Sequence, residues 1–203
     1  MSTLSVGSLE GLAANSNVIS VPTGHTLNVA DAGALQIGGS GVVSAGLVHI
    51  SRTTIGTAVS SVTVSGAFSS DYDTYRVIIA NVDGSVSTAA LRIRFGAVVT
   101  GYYGSRRVDL YTGSTSTIVR DNNNSSCQIG IIATSDNSNS IFDIQSPNLA
   151  NWTNFYGLYN GSGYTGWFGG LQNSTTQFTA FDIFPDSGTI TGGTIDVYGY
   201  AKA

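Results

Sequence analysis

The apolar residues between Val18 and Ala45 recur with a period of eight. Each unit has four residues in which apolar and polar positions alternate, followed by four residues that suit a bend, such as PTGH, ADAG and GGSG. Alternation with a period of two predicts short, half-buried strands, and glycine in the bends permits the turns between them. The apolar positions are Ile19, Val21, Leu27, Val29, Leu35, Ile37 and Val43.

Strands of this length present only two apolar side chains each and leave long open edges. Repeat units of this kind become stable when neighbours stack and share a core. One solution is an intertwined stalk, in which three copies of the chain wind together and the apolar positions line a common axis. The alternative is a single-chain β-meander with the same spacing, and the regularity of the period favours the stalk.

Longer strands replace the repeat after Ala45. Apolar and polar residues alternate in the segments at 88–96, 178–185 and 194–201, and a first strand of this kind covers 47–55. Asp83-Gly84 is typical of a hairpin turn and predicts that residues 72–84 pair with residues 88–96. In the second of these segments, Leu91, Ile93 and Phe95 alternate with arginines, which indicates a sheet with one buried face.

Two further segments have distinct patterns. Residues 151–171 form an aromatic hairpin that turns at 160–163, and the polar tract at 121–126 is interpreted as a loop. About ten short strands bounded by turn residues predict an antiparallel β-sandwich of jelly-roll type. The predicted organisation is an attachment segment and stalk at 1–46, followed by a β-sandwich head at 47–203.

The composition supports an all-β fold and excludes several functions. Glu10 is the only glutamate and Lys202 the only lysine among 203 residues, so two of the strongest helix formers are nearly absent. A net charge of −4 and scattered arginines argue against a nucleic-acid partner. Cys127 stands alone, which excludes an intrachain disulfide. We find no signal peptide and no apolar run of ~18 residues, so membrane insertion is not expected.

Candidate catalytic residues are few. Asp71 and Asp73 have the spacing of two carboxylates on one face of a strand, which a glycan-cleaving enzyme would need. Acidic residues before a strand more often cap a turn, and we favour that interpretation. His25 and His49 are too few for a zinc site without thiol ligands. We therefore predict no catalytic residue, no metal and no cofactor.

Exposed aromatic residues are the best candidates for recognition. Tyr102 and Tyr103 lie between glycines in VTGYYGS, where a loop would carry them to the surface, and Trp152 opens the aromatic hairpin. Sugars stack on aromatic faces and bind Asn and Asp through hydrogen bonds. Core packing is the alternative for these three residues, and it is the favoured interpretation for Phe155 and Phe168.

Several stretches resemble small virion appendage proteins of tailed bacteriophages, in particular of marine phages with short tails. They are the start MSTLSV, the run YDTYRVIIANV, the central TGYYGS and the end GGTIDVYGYAKA. The resemblance implies a homotrimeric fibre or knob on the tail or capsid surface, made in the host cytoplasm. It also implies that the N-terminal segment binds other virion proteins and that the head binds a host cell-surface glycan or protein.

Two classes of function follow from these observations. The first is a non-enzymatic appendage for host-surface recognition and adsorption. The second is a capsid-decorating or tail-bracing structural protein without receptor-binding activity. A depolymerase is a third and less favoured class, because the chain lacks a convincing pair of catalytic carboxylates.

Overall fold

The computed structural model describes Thr23, residues 36–37 and 40–41, and residues 46–202. The chain divides into two units, residues 1–43 and residues 44–203. In the first unit, β1 (Gln36–Ile37) pairs antiparallel with β2 (Ser40–Gly41). The predicted stalk positions other than Ile37 lie outside the described residues, so the intertwined stalk stays a prediction; they are Ile19, Val21, Leu27, Val29, Leu35 and Val43.

The second unit is an antiparallel β-sandwich, and none of its described residues lies in a helix. Its strands are β3 (Leu47–Thr54), β4 (Val62–Val64), β5 (Thr74–Gly84), β6 (Ala89–Phe95), β7 (Tyr102–Leu110), β8 (Ser116–Asn124), β9 (Cys127–Ile132), β10 (Ser138–Gln145), β11 (Thr153–Gly161), β12 (Tyr164–Gln172), β13 (Phe181–Pro185), β14 (Ile190–Thr191) and β15 (Thr194–Tyr200). The predicted all-β class is confirmed.

Two sheets enclose one hydrophobic core. The large sheet has the strand order β3-β15-β5-β10-β11-β12-β7-β8, with β14 beside β5, and the small sheet has the order β4-β13-β6-β9. Aromatic rings fill much of the space between the sheets: Phe68 stacks on Phe181 with centroids 5.6 Å apart, and Phe95 lies 5.8 Å from Phe155. Phe155 and Phe168 are both buried, as predicted.

The aromatic hairpin turns where the sequence predicts. In β11 and β12, Gly161 lies opposite Tyr164, so the two-residue turn is Ser162-Gly163. Both turn residues have positive φ, 56° and 74°. That conformation matches the twist of the flanking strands in a two-residue hairpin.

The predicted hairpin between residues 72–84 and 88–96 is wrong. β5 lies in the large sheet beside β10 and β15, whereas β6 lies in the small sheet beside β13 and β9. Asp83-Gly84 stays in the strand, because the Asp83 carboxylate accepts hydrogen bonds from the Asp136 and Asn137 amides. The chain then crosses between the sheets, so the apolar faces of β5 and β6 both point into the core.

The polar tract at 121–126 is only partly a loop. β8 continues through Asn124, and Asp121 is buried between two arginines. The carboxylate of Asp121 accepts a hydrogen bond from Arg106 at 2.9 Å and lies 3.5 Å from Arg92. A paired carboxylate is compatible with burial, so this segment is part of the sheet.

Candidate functional site

An apolar row crosses the outer face of the large sheet. The row contains Ile78 of β5, Ile141 of β10, Leu158 of β11 and Trp167 of β12, each directly opposite the next. We call these four residues the apolar stripe. Leu158 is 60% exposed, Trp167 45% and Ile141 40%. Directly opposed side chains on one sheet face lie about 5 Å apart, so the stripe is a continuous surface.

A shallow hollow of about 500 Å³ adjoins the stripe. Tyr156, which is half exposed, and Trp167 of the stripe both line it. The hollow is bordered by Leu158 and by the charged side chain of Arg76.

Two ion pairs border the stripe, one beside it on β5 and β10 and the other on the neighbouring strands β15 and β3. Arg76 donates hydrogen bonds to both carboxylate oxygens of Asp143, at 2.8 and 2.9 Å, and the Tyr200 hydroxyl donates a third at 3.0 Å. Arg52 pairs in the same bidentate way with Asp196, at 2.7 and 3.1 Å. The hydrogen bonds from Arg52 lower the pKa of Asp196. Both carboxylates are thus engaged by a bidentate arginine.

A third ion pair borders the stripe on the opposite side. Arg107 of β7 lies directly opposite Trp167 and donates to Asp109 at 2.9 Å. Hydrogen bonds from Ser116 and from Arg107 lower the pKa of Asp109. The three arginines that border the stripe are therefore each neutralised by a carboxylate of the same chain.

Tyr102 does not lie in a surface loop, and its predicted exposure is wrong. It is the first residue of β7, its side chain points into the core, and it is fully buried. Its hydroxyl accepts a hydrogen bond from the Phe95 amide at 2.7 Å, and burial raises the pKa of this hydroxyl. Alternation along β7 directs Tyr102 inward and its neighbour outward.

Tyr103 and Trp152 lie toward one end of the outer face. Tyr103 is half-buried opposite Leu171 of β12, and Leu171 lies opposite Asn154 of β11. Trp152 precedes β11 and is half exposed. These residues place two aromatic side chains and an amide in one region, which we call the aromatic end. It consists of Tyr103, Trp152, Asn154 and Leu171.

The candidate catalytic carboxylates have separate partners. Asp71 accepts a hydrogen bond from the Ser69 hydroxyl at 3.1 Å, whereas Asp73 pairs with Lys202 at 2.9 Å. His49 lies 3.4 Å from Asp196, and His25 lies outside the described residues. Within the described ranges, no three His, Cys, Asp or Glu side chains converge in a way that would hold a metal ion.

Sequence reasoning missed the stripe, although a signal for it exists. The stripe residues stand next to core residues along the chain, as in Ile78-Ile79, Ile141-Phe142 and Trp167-Phe168. Such doublets make a strand apolar on both faces, a pattern typical of strands that are covered on both sides. In β11 and β12, the aromatic residues Tyr156 and Trp167 face outward, whereas Phe155 and Phe168 face the core.

No family model, curated protein or solved structure matches this chain. In the part of the chain that the structure describes, no helix has the length and apolarity needed to cross a membrane.

Proposed function

We propose that this protein is a non-enzymatic structural protein of a phage virion. It is a trimeric fibre or knob on the virion surface, made in the host cytoplasm and attached to other virion proteins through residues 1–46. Its head, residues 47–203, adsorbs to a glycan or protein of the host surface. The observation that carries this proposal is the aromatic end of the large sheet, where the indole of Trp152 is half exposed, which favours a binding protein. The resemblance to phage appendage proteins supports the same class.

The strand order supports a jelly-roll head. Without the hairpins β7-β8 and β11-β12, the large sheet reads β3-β15-β5-β10 and the small sheet β4-β13-β6-β9. Successive strands then alternate between the two sheets along the chain, except that β6 and β9 follow one another within the small sheet. This order supports the double Greek key of a jelly roll, a fold found in viral capsid and lectin domains. The two extra hairpins widen only the large sheet.

The carboxylates support a non-enzymatic role. Hydrolysis of a glycosidic bond needs one acid and one base or nucleophile flanking the bond. In the head, Asp143, Asp196 and Asp121 are each buried against an arginine, and Asp182 accepts hydrogen bonds from Thr63 and Arg94. Each of these four carboxylates is already engaged by an arginine, so none of them is free to flank a glycosidic bond.

The aromatic end is the proposed contact with the host surface. Trp152 offers an exposed indole, and the amide of Asn154 lies two residues further along the chain. Flat aromatic faces beside amide groups suit the stacking and hydrogen bonding of a sugar ring. Three such sites on one trimer would gain avidity from a weak single interaction.

An adsorption assay tests this function. Purified full-length protein is labelled and titrated onto a panel of marine bacterial strains and onto a glycan array. We expect saturable binding that Trp152→Ala weakens about tenfold, because truncation of an aromatic anchor typically costs 1–2 kcal/mol or more. Tyr111→Ala is the matched control, since Tyr111 is 57% exposed in the turn after β7, away from the aromatic end.

Other outcomes of this assay favour the other classes. Absence of binding, together with a copy number that matches capsid lattice sites, favours a capsid-decorating or tail-bracing protein. Shortened polysaccharide after prolonged incubation with the protein favours a depolymerase.

A further inference from the structure

We propose that the apolar stripe is the surface through which copies of this chain pack against one another in the head. The trimer itself is part of the proposed function, and this inference rests on it. The new element is the identity of the surface of the head that faces the centre of the trimer. The stripe residues, Ile78, Ile141, Leu158 and Trp167, lie closest to the symmetry axis.

The outer faces of the two sheets differ in polarity, which indicates that another protein surface covers only the large sheet. On the small sheet, the outward positions of β6 are Arg92 and Arg94, which form ion pairs with Asp121 and Asp182. Arg94 is about one-third exposed beside Asp182, which is typical of a sheet face that meets water, whereas Arg92 is largely buried against Asp121. On the large sheet, the outward positions at the centre are aliphatic or aromatic. A sheet face of this kind is usually covered by another apolar surface.

The charge distribution favours a second copy over a strongly charged partner. The groups that border the stripe are three internal ion pairs, Arg76 with Asp143, Arg52 with Asp196 and Arg107 with Asp109. An identical copy brings identical charges, so a strongly charged face would repel itself. Here each border charge is already balanced within its own chain. The stripes of identical copies can therefore pack together without repulsion between unpaired like charges at their borders.

The size of the face is sufficient for a stable assembly. Eight strands about 4.8 Å apart span roughly 34 Å. Strands of nine residues at about 3.4 Å per residue span roughly 30 Å. The whole outer face therefore measures about 1,000 Å², and the stripe is its apolar centre. An interface of the standard ~800 Å² per partner would cover the stripe together with its ion-paired borders.

The residue types argue against a sugar as the occupant of the stripe. Ile78, Ile141 and Leu158 have neither a flat face for stacking nor a hydrogen-bonding group. Aliphatic side chains pack well against each other when a symmetry axis brings equivalent stripes together. Trp167 is the one stripe residue with a flat face, and the proposed sugar contact lies at the aromatic end, outside the stripe.

Tryptophan fluorescence gives a direct test, because Trp152 and Trp167 are the only two tryptophans of the chain. Trp152→Phe leaves Trp167 of the stripe as the single reporter. In the single-tryptophan full chain, we expect blue-shifted emission and acrylamide quenching several-fold weaker than that of an exposed indole. In one isolated copy, by contrast, Trp167 is 45% exposed.

Leu158→Asp, introduced into the same single-tryptophan chain, tests the packing itself. A carboxylate in the centre of an apolar interface carries a large desolvation penalty, so the protection of Trp167 should be lost. The single-copy fold should survive, because Leu158 is 60% exposed there; far-UV circular dichroism checks this. Val99→Asp is the matched control, since Val99 is 54% exposed in the loop after β6, and it should leave Trp167 protected.

The outcomes separate this inference from the proposed function. A trimeric mass with a freely quenched Trp167 would overturn the inference and leave the proposed trimer intact. Protection of Trp167 that survives Leu158→Asp, or protection in a protein of single-chain mass, would also overturn it. A single-chain mass would in addition remove the proposed trimer. Protection in a trimer that Leu158→Asp abolishes and Val99→Asp preserves supports both.

Discussion

The hydroxyl of Tyr102 accepts a hydrogen bond from the backbone amide of Phe95 at 2.7 Å, and the two rings stack with their planes 7° apart. This contact joins β7 of the large sheet to β6 of the small sheet across the core. The segment VTGYYGS, whose glycines suggest a surface loop, therefore contains the start of β7 and connects the two sheets through Tyr102.

Loss of the Tyr102 hydroxyl should destabilise the fold. Tyr102→Phe keeps the ring and removes the acceptor, so we expect the free energy of unfolding to fall by about 1 kcal/mol, the typical net value of a buried hydrogen bond. Tyr103→Phe is the control, because among the described residues its hydroxyl makes no hydrogen bond. Urea denaturation measures both; equal stability of the two variants would contradict this interpretation of Tyr102.

The strands themselves are largely predictable from the sequence, whereas their pairing is not. Alternation in β6 and β13 identifies the buried face of each strand, and the Ser162-Gly163 turn fixes one hairpin. An alternating strand, however, buries its apolar face equally well in either layer. The allocation of β5 and β6 to different sheets depends on contacts distant in sequence, such as the Asp83 carboxylate with the Asp136 amide.

The thiol of Cys127 should be unreactive in the folded protein. Burial, followed by the nearby charge of Asp121, raises the pKa of this thiol to about 12, so at pH 8 almost none of it is the reactive thiolate. We expect no labelling by a chromogenic disulfide reagent at pH 8 and one equivalent after denaturation in guanidinium chloride. One rapid equivalent in the native protein would mean that Cys127 is accessible.

Stability should fall in acid partly through Asp196. Its pKa is lower in the folded chain than the value near 3.9 of an unfolded aspartate. Its contribution is therefore complete above about pH 4 and is lost as the pH falls through the folded pKa, because the unfolded state then binds more protons. Asp196→Asn should be less stable than wild type at pH 7, and the difference should shrink toward pH 2. Urea denaturation at low salt tests this; a difference that grows in acid would refute it.

The inward-facing Gly157 should tolerate no side chain. A Cβ at this position would lie 2.3 Å from the Ile141 carbonyl oxygen and from the Phe142 Cβ. We expect Gly157→Ala to lower the free energy of unfolding by about 1–3 kcal/mol, the typical cost of overpacking. At Gly169, on the neighbouring strand, the nearest atom is 3.8 Å away. Gly169→Ala should accordingly have little effect. Thermal unfolding of the two variants measures both effects.

The candidate site was only partly predictable. Trp152 and Tyr103 were predicted near the surface and do lie on or near it, although their proposed role in recognition is untested. The stripe escaped notice because Leu158 and Ile141 meet only when β10 and β11 pair in register. Because the two residues are far apart in sequence, the sequence does not indicate this contact. The apolar doublets are the one sequence feature which indicates that both faces of these strands are apolar.

The native mass of the full chain tests the central claim most directly. Sedimentation equilibrium over a tenfold range of concentration should give three times the 21.0 kDa of one chain throughout. The same trimeric mass should appear in 1 M salt, because apolar contacts are screened far less than ion pairs. A constant mass of 21.0 kDa would contradict both the trimeric appendage and the packing of the large sheets around a shared axis.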